Sequence, residues 1–371
     1  MDPIEEILQI NPAELQDKLK IISAYLASKR WYELGDALER FLVVPAISGH
    51  RRMIFDKLII NYSDLLDSFH FAHHVLLCSD EYPTFDEKID FLQKIAESKT
   101  FEKKPEPKAL ISLRIVDVLT QKGEFEQALK LLNEIEKSVT EATPLEVRSS
   151  FHHSQANLDK ARGDFDAFYQ HALLYLSTSR IDKDVVLAYD LCMAALFSSR
   201  VCSFGELAAH PILDSLSNGE FQWLRDLILL LDRGDPQSIT EFNEIFQPKI
   251  SQSPAFSNFL GTIQTKLALS VFLQVIFSRP FENRTFAFEE VAQACNITID
   301  QVELLVLKAL SAEIIKGNID EVEQKIVVTW CKPKTLGKDR LIHLKTQIDK
   351  WIAKVHEQRI ALEKKTQDVV G

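Results

Sequence analysis

Apolar residues recur along this chain at the three-and-four spacing of amphipathic helices, in segments that come in pairs. Residues 11–44 read as the first pair. Asn11-Pro12 supplies an N-cap with proline at the first helical position, and Leu15, Leu19, Ile22 and Leu26 follow on one face. A break at Lys29-Arg30-Trp31 leads into a second helix over residues 32–42, which Pro45 ends. Residues 51–77 form another strongly apolar helical region, carrying Ile54, Leu58, Tyr62 and Leu65. Thr84 opens a further helix, with Glu87 at the spacing of a capping box. Residues 99–108 are charged and hold Pro105 and Pro107, so they read as a loop.

A repeat follows. Residues 110–121 predict a helix, Lys122-Gly123-Glu124-Phe125 a turn, and residues 125–135 a second helix. Forty residues on, the order recurs as 145–161, Arg162-Gly163-Asp164-Phe165, and a helix to Leu176. Each glycine sits where a helix ends in a left-handed conformation. Each phenylalanine starts the next apolar face: Phe125, Ala128, Leu132 and Ile135, then Phe165, Phe168, Ala172 and Leu176. The leading helix of the first unit is apolar on two sides (Leu110, Leu113, Val116 and Ile111, Ile115, Val118), as expected of a helix sandwiched between neighbours. Stacked pairs of this kind make a divergent TPR-like helical-repeat solenoid, so the fold class is mainly α. A third pair begins at Asp184 (Val185, Ala188, Cys192, Ala195) and runs through Phe204-Gly205-Glu206-Leu207 to Pro211, a break or a helix start. Residues 221–231 predict a helix that Asp232-Arg233-Gly234-Asp235 stops, and 242–246 a short one before Pro248.

The pattern then changes. A helix over 263–277 ends at Arg279-Pro280, and Thr285-Phe286-Ala287-Phe288 predicts a short edge strand. A helix over 289–295 precedes Thr298, whose capping box with Gln301 starts a third helix over 299–312. Ile314 to Ile319 is a β-run into a turn. Residues 326–330 alternate, placing Ile326, Val328 and Trp330 on one side, with Ile314 and Ile315 as hairpin partners. Three helices and a β-hairpin make a winged helix. Beyond it, Leu341, Leu344, Ile348, Trp351, Val355 and Leu362 recur at three-four spacing on one long helix, with Gln358 at one seam position. Such a seam either joins a bundle of partner helices or packs back on its own domain.

Charge narrows the function. The net charge is −11, but from Lys332 onward ten Lys or Arg face five Asp or Glu, so the tail carries +5 against −16 for the rest. A winged helix that reads DNA leads with the start of its third helix. Here that start carries Asp300, Gln301 and Glu303, with Lys308 the one base, which speaks against binding a polyanion. Five scattered cysteines (Cys78, Cys192, Cys202, Cys295, Cys331) fit reduced thiols of a cytosolic or nuclear protein. The acidic start does not read as a secretory signal, and the longest apolar run, 267–277, is short of a bilayer span. His70, His74 and Cys78 fall on one helix face, but without a second ligand cluster they read as structural rather than metal-binding. No phosphate loop, nucleophile elbow or His-x-His pair occurs, so no catalytic residue, cofactor or metal site is expected.

The strings from Ser278-Arg279-Pro280 to Trp330, together with Phe204 to Leu213, closely resemble the PCI domain of proteasome, signalosome and initiation-factor subunits. More narrowly, they resemble the regulatory particle non-ATPase nine family of the 26S proteasome lid. The resemblance implies N-terminal helical repeats over 1–183, a PCI domain over 184–335 (helical part 184–261, winged helix 262–331) and a bundle helix over 336–371. It further implies a non-catalytic scaffold in the cytoplasm and nucleus, working in ubiquitin-dependent degradation within a hetero-oligomeric complex. Its partners would be other PCI-domain lid subunits and the lid helical bundle, without nucleic acid or membrane. By this resemblance the sheet-edge contact falls to Ile314, Ile315, Ile326, Val328 and Trp330, and the bundle contact to the tail seam. A scaffold of another PCI complex, or a winged-helix nucleic-acid reader, are the rival readings.

Overall fold

The computed structural model describes residues 16–101, 104–179, 181, 183–252, 254–280, 283–333 and 338–370; the expected N-cap at Asn11-Pro12, with Leu15, lies outside them. The chain divides into two units, residues 1–180 and 181–371.

In the first unit helices pack in pairs. Gln16–Ala27 precedes Trp31–Leu42, which buries Leu34, Leu38, Phe41 and Leu42 at helical spacing. The apolar stretch 51–77 is not continuous. It forms a short helix, Arg51–Ile54, a wide π turn, Phe55–Ile59, and a tight turn, Ile60–Tyr62. A new helix, Ser68–Ser79, then starts at Asp67, whose carboxylate accepts from the Phe69 N–H at 3.0 Å. Ser63, Asp64 and Asp67 favour caps and turns over helix interior, which accounts for the break. Phe55, Phe71 and Phe101 stack in series, with ring centroids 6.1 and 5.5 Å apart, at the centre of this unit's core. Phe85–Ala96 begins at Thr84, whose hydroxyl accepts from the Glu87 N–H.

The loop expected over 99–108 is shorter than that. The helix Pro105–Lys122 already starts at Pro105, because a proline in the first turn lacks only an N–H that the helix would leave unpaired. That helix is buried on two sides, as expected of a sandwiched element. It ends at Gly123 (φ +88°), and Leu145–Arg162 ends at Gly163 (φ +75°), so the two aligned glycines share the left-handed cap. Phe125–Glu136 and Phe165–Thr178 complete the pairs.

In the second unit Asp184 caps Val185–Phe197 by accepting from the Val186 and Leu187 N–H groups. Gly205–Ala209, a tight turn over Pro211–Leu216, and Gln222–Arg233 follow. Pro248 does not end the helix that begins as Pro236–Glu241. The backbone widens into a π turn at Phe242–Phe246, which absorbs the missing donor, and the helix resumes as Gln247–Gln252. Leu260–Ser278 is the central helix of this unit. Its Lys266 is buried and donates to the Ala195 carbonyl at 2.6 Å. It is long and apolar enough to cross a bilayer, yet 56% of that window is buried within the fold, as in the core helix of a globular domain.

The winged helix is then assembled from Leu260–Ser278, β1 (Thr285–Ala287), Phe288–Cys295, Ile299–Ser311, β2 (Ile315–Asp320) and β3 (Lys325–Cys331). Phe288 belongs to its helix rather than to the edge strand. The Thr298–Gln301 capping box forms in full. Lys338–Val370 is one helix of 33 residues.

Candidate functional site

Two surfaces were expected to meet partners: the hairpin and the tail. The hairpin is rearranged by its third strand. The sheet runs β1-β3-β2, all antiparallel, so β3 lies in the middle with Phe286 opposite Ile326 on one side and Ile319 on the other. Both edges of β3 are therefore occupied by the chain itself. Ile326 and Val328 are 1% and 3% exposed, and Ile314 and Ile315 are likewise buried. The sheet-edge assignment to these four side chains is corrected accordingly. They are core, and the open edges belong to β2 and the short β1.

Trp330 departs from the expected face for a different reason. The register jumps between Lys316 and Gly317, so that Lys316 faces Trp330 while Gly317 faces Val328, leaving Thr329 as an extra residue. This β-bulge turns the strand by one side-chain position. Cys331 then points inward and Trp330, 42% exposed, points out. The bulge is pinned where the Thr329 hydroxyl donates to the Lys316 carbonyl at 3.0 Å. It also explains Gly317, since a Cβ there would lie 2.1 Å from the Val327 carbonyl oxygen. On the outer face the Lys316 ammonium sits 5.4 Å from the Trp330 ring, beside exposed Val327. Strict alternation along β3 hid this face. The one signal for it was a glycine in the opposite strand.

The inner side is locked by arginines. Arg279 packs over the Phe286 ring at 4.5 Å, donates to the Thr285 carbonyl and pairs with Glu290. Arg284 reaches the Cys331 sulfur at 3.4 Å. β1 is thereby fixed to its neighbouring helix on one side and to β3 on the other.

The tail is the opposite case. Leu341, Leu344, Ile348, Trp351, Val355 and Leu362 are between 44% and 69% exposed. Ile342, Ile352 and Ile360 add further exposed apolar surface, which a strict seam reading passed over. Such a row is larger than the scattered apolar residues usual on a protein surface.

The third helix of the winged helix exposes Asp300 and Gln301 at its start and Leu304 and Leu307 further along. With Asp300 exposed at its start and Lys308 the one base, this face does not offer the cluster of cations that phosphate binding uses. The one-face set His70, His74 and Cys78 is dispersed among other partners. His70 Nδ1 meets Glu39 at 3.0 Å, His74 Nε2 meets the Gly35 carbonyl at 3.0 Å, and the Cys78 thiol donates to the Arg51 carbonyl. Burial pushes His74 down to about 4, and pushes the Cys78, Cys192 and Cys295 thiols up to about 12, so these thiols are protonated at neutral pH.

The family model described as PSD13 N-terminal repeats matches residues 19–228, and the PCI domain model matches residues 241–330. The 26S proteasome non-ATPase regulatory subunit 13 homolog B of Arabidopsis thaliana is 27% identical over 96% of each chain. The 26S proteasome regulatory subunit RPN9 of Saccharomyces cerevisiae is 25% identical over 93% of this chain and 92% of its own. The eukaryotic translation initiation factor 3 subunit M of Chaetomium globosum is 20% identical over 56% of this chain and 50% of its own.

Proposed function

This chain belongs to the PSD13 family, whose repeat model spans more than half of it, and from that premise we propose that it is a regulatory, non-catalytic subunit of the 26S proteasome lid. It acts as a scaffold in ubiquitin-dependent degradation, in the cytoplasm and nucleus, and it carries no reaction, cofactor or metal of its own. Its partners are other PCI-domain subunits and a bundle of their terminal helices. The observation that carries this reading is the tail seam, six large apolar residues at heptad-like spacing with nearly half or more of each side chain in water. A helix of this kind gains its stability when neighbours cover the stripe, which makes assembly the step that completes it.

The hairpin contributes differently from the tail. Backbone groups along the outer edge of β2 are the natural point for a neighbouring strand to extend the sheet, with Lys316, Val327 and Trp330 as the side chains at that contact. Relatives in translation initiation factor 3 match over a shorter span, so the proteasome reading takes precedence over that rival.

Native pull-down of the tagged full-length chain, with identification of what co-purifies, tests the proposal. Stoichiometric recovery of proteasome regulatory-particle subunits is expected. Recovery of initiation-factor or signalosome subunits in their place would transfer the scaffold role to another complex.

A further inference from the structure

Three helices of the first unit, far apart in the chain, meet through charge. Trp31–Leu42 brings Glu39, Ser68–Ser79 brings His70 and His73 one turn apart, and Leu145–Arg162 brings Glu146 in its first turn. The His73 ring, 24% exposed, stands between the two carboxylates. Its Nδ1 lies 3.3 Å from Glu39 and its Nε2 lies 2.6 Å from Glu146. The second oxygen of Glu39 meets His70 Nδ1 at 3.0 Å, and Tyr32 packs edge-on against the His70 ring. His74, the next residue, bonds to the Gly35 carbonyl and is neutral above its lowered value of about 4. Arg51, Asp56, Asp80, Glu81 and Arg114, from the elements packed on the same helix, gather toward its C-terminal end around Cys78 and Asp80.

A neutral imidazole carries one N–H and one lone pair, so it serves one carboxylate and repels the other. An imidazolium carries two N–H groups and serves both. A carboxylate at each ring nitrogen is therefore the geometry of the charged ring. We propose that His73 is a proton-operated clasp in the helical repeats, closed between Glu39 and Glu146 while the ring is charged and opened on one side when a rise in pH removes its proton. The bond to Glu146, against burial and with the charges of both carboxylates, holds His73 above its ordinary value of 6.5. The closed clasp thus binds the proton more tightly than the open one. Its contribution is full below 6.5 and is lost as pH rises through the higher value of the closed state. The carboxylates set the opposite limit. Burial would raise Glu39, but bonds from His70 and His73 hold it below its ordinary 4.5, and the bond from His73 holds Glu146 there too. Their contribution is present above 4.5 and is lost as pH falls through those lowered values. The clasp lies wholly in the N-terminal unit and stands independently of the assembly role.

Two readouts on the full-length chain test this. NMR titration of the histidine ring protons, with the His73 signal assigned by its loss in His73→Gln, is expected to give His73 a midpoint above 6.5. Amide hydrogen exchange, corrected for the intrinsic effect of pH, is expected to quicken in Trp31–Leu42 or at the start of Leu145–Arg162 as pH rises through that midpoint. The gain is up to about tenfold for each pH unit by which the midpoint exceeds that of an ordinary histidine. Glu146→Gln, at a half-exposed position, is expected to lower the His73 midpoint and shrink the exchange step. His73→Gln is expected to remove the step, since nothing at that position then titrates. A His73 midpoint at or below 6.5, or one that Glu146→Gln leaves in place, overturns the proposal. So does exchange that stays level in both helices through the midpoint, or a step that persists in His73→Gln.

Discussion

In the hairpin, Ile326 and Val328 keep 1% and 3% of their surface exposed, whereas in the tail helix Leu344 and Ile348, residues of similar hydrophobicity, keep 44% and 46%. Both regions present an apolar stripe in the sequence. They differ in what the rest of the chain can bring to them. β3 is flanked by β1 and β2 and is covered by the apolar faces of the winged-helix helices, so its stripe is consumed by folding. Among the described residues, the tail stripe stays 44% to 69% exposed. An apolar stripe therefore does not by itself mark an interface, because folding consumes the one in β3.

Substitutions that invert polarity in the two regions sharpen this contrast. The largest effect on stability is expected from Ile326→Asp, which puts a carboxylate among Phe286, Ile319 and the inner helices. A loss of about 4 kcal/mol or more, and a collapsed thermal transition of the domain, is expected in calorimetry. A melt like that of the parent would mean that β3 is not central. A smaller effect, about 1–3 kcal/mol, is expected from Gly317→Ala, because the added methyl meets the Val327 carbonyl at 2.1 Å and must open the bulge. Chemical denaturation checks it, and an unchanged midpoint would argue against the register jump.

Much of this was legible in the sequence because it depends on neighbours in the chain. The aligned caps at Gly123 and Gly163, the Thr298–Gln301 capping box and the short strand at Thr285 are local, and each follows from a few adjacent residues. What was missed depends on residues distant in the chain. The outward turn of Trp330 follows from Gly317 in the opposite strand, and the central place of β3 follows from pairing with residues 40 positions upstream. Pro105 and Pro248 misled in another way. Proline breaks a helix only where its N–H would have been used, and a first turn or a π turn removes that need.

We propose that the tail seam is an assembly surface and not part of the fold. The direct measurement compares the parent with a Leu344→Asp, Ile348→Asp, Trp351→Asp triple variant, scored both by thermal melting and by the fraction of tagged chain that co-sediments with the assembled complex. A melt within about 1 kcal/mol of the parent's is expected, as for substitutions at exposed positions, with an incorporated fraction reduced at least about tenfold. Incorporation at the parent's level would contradict it.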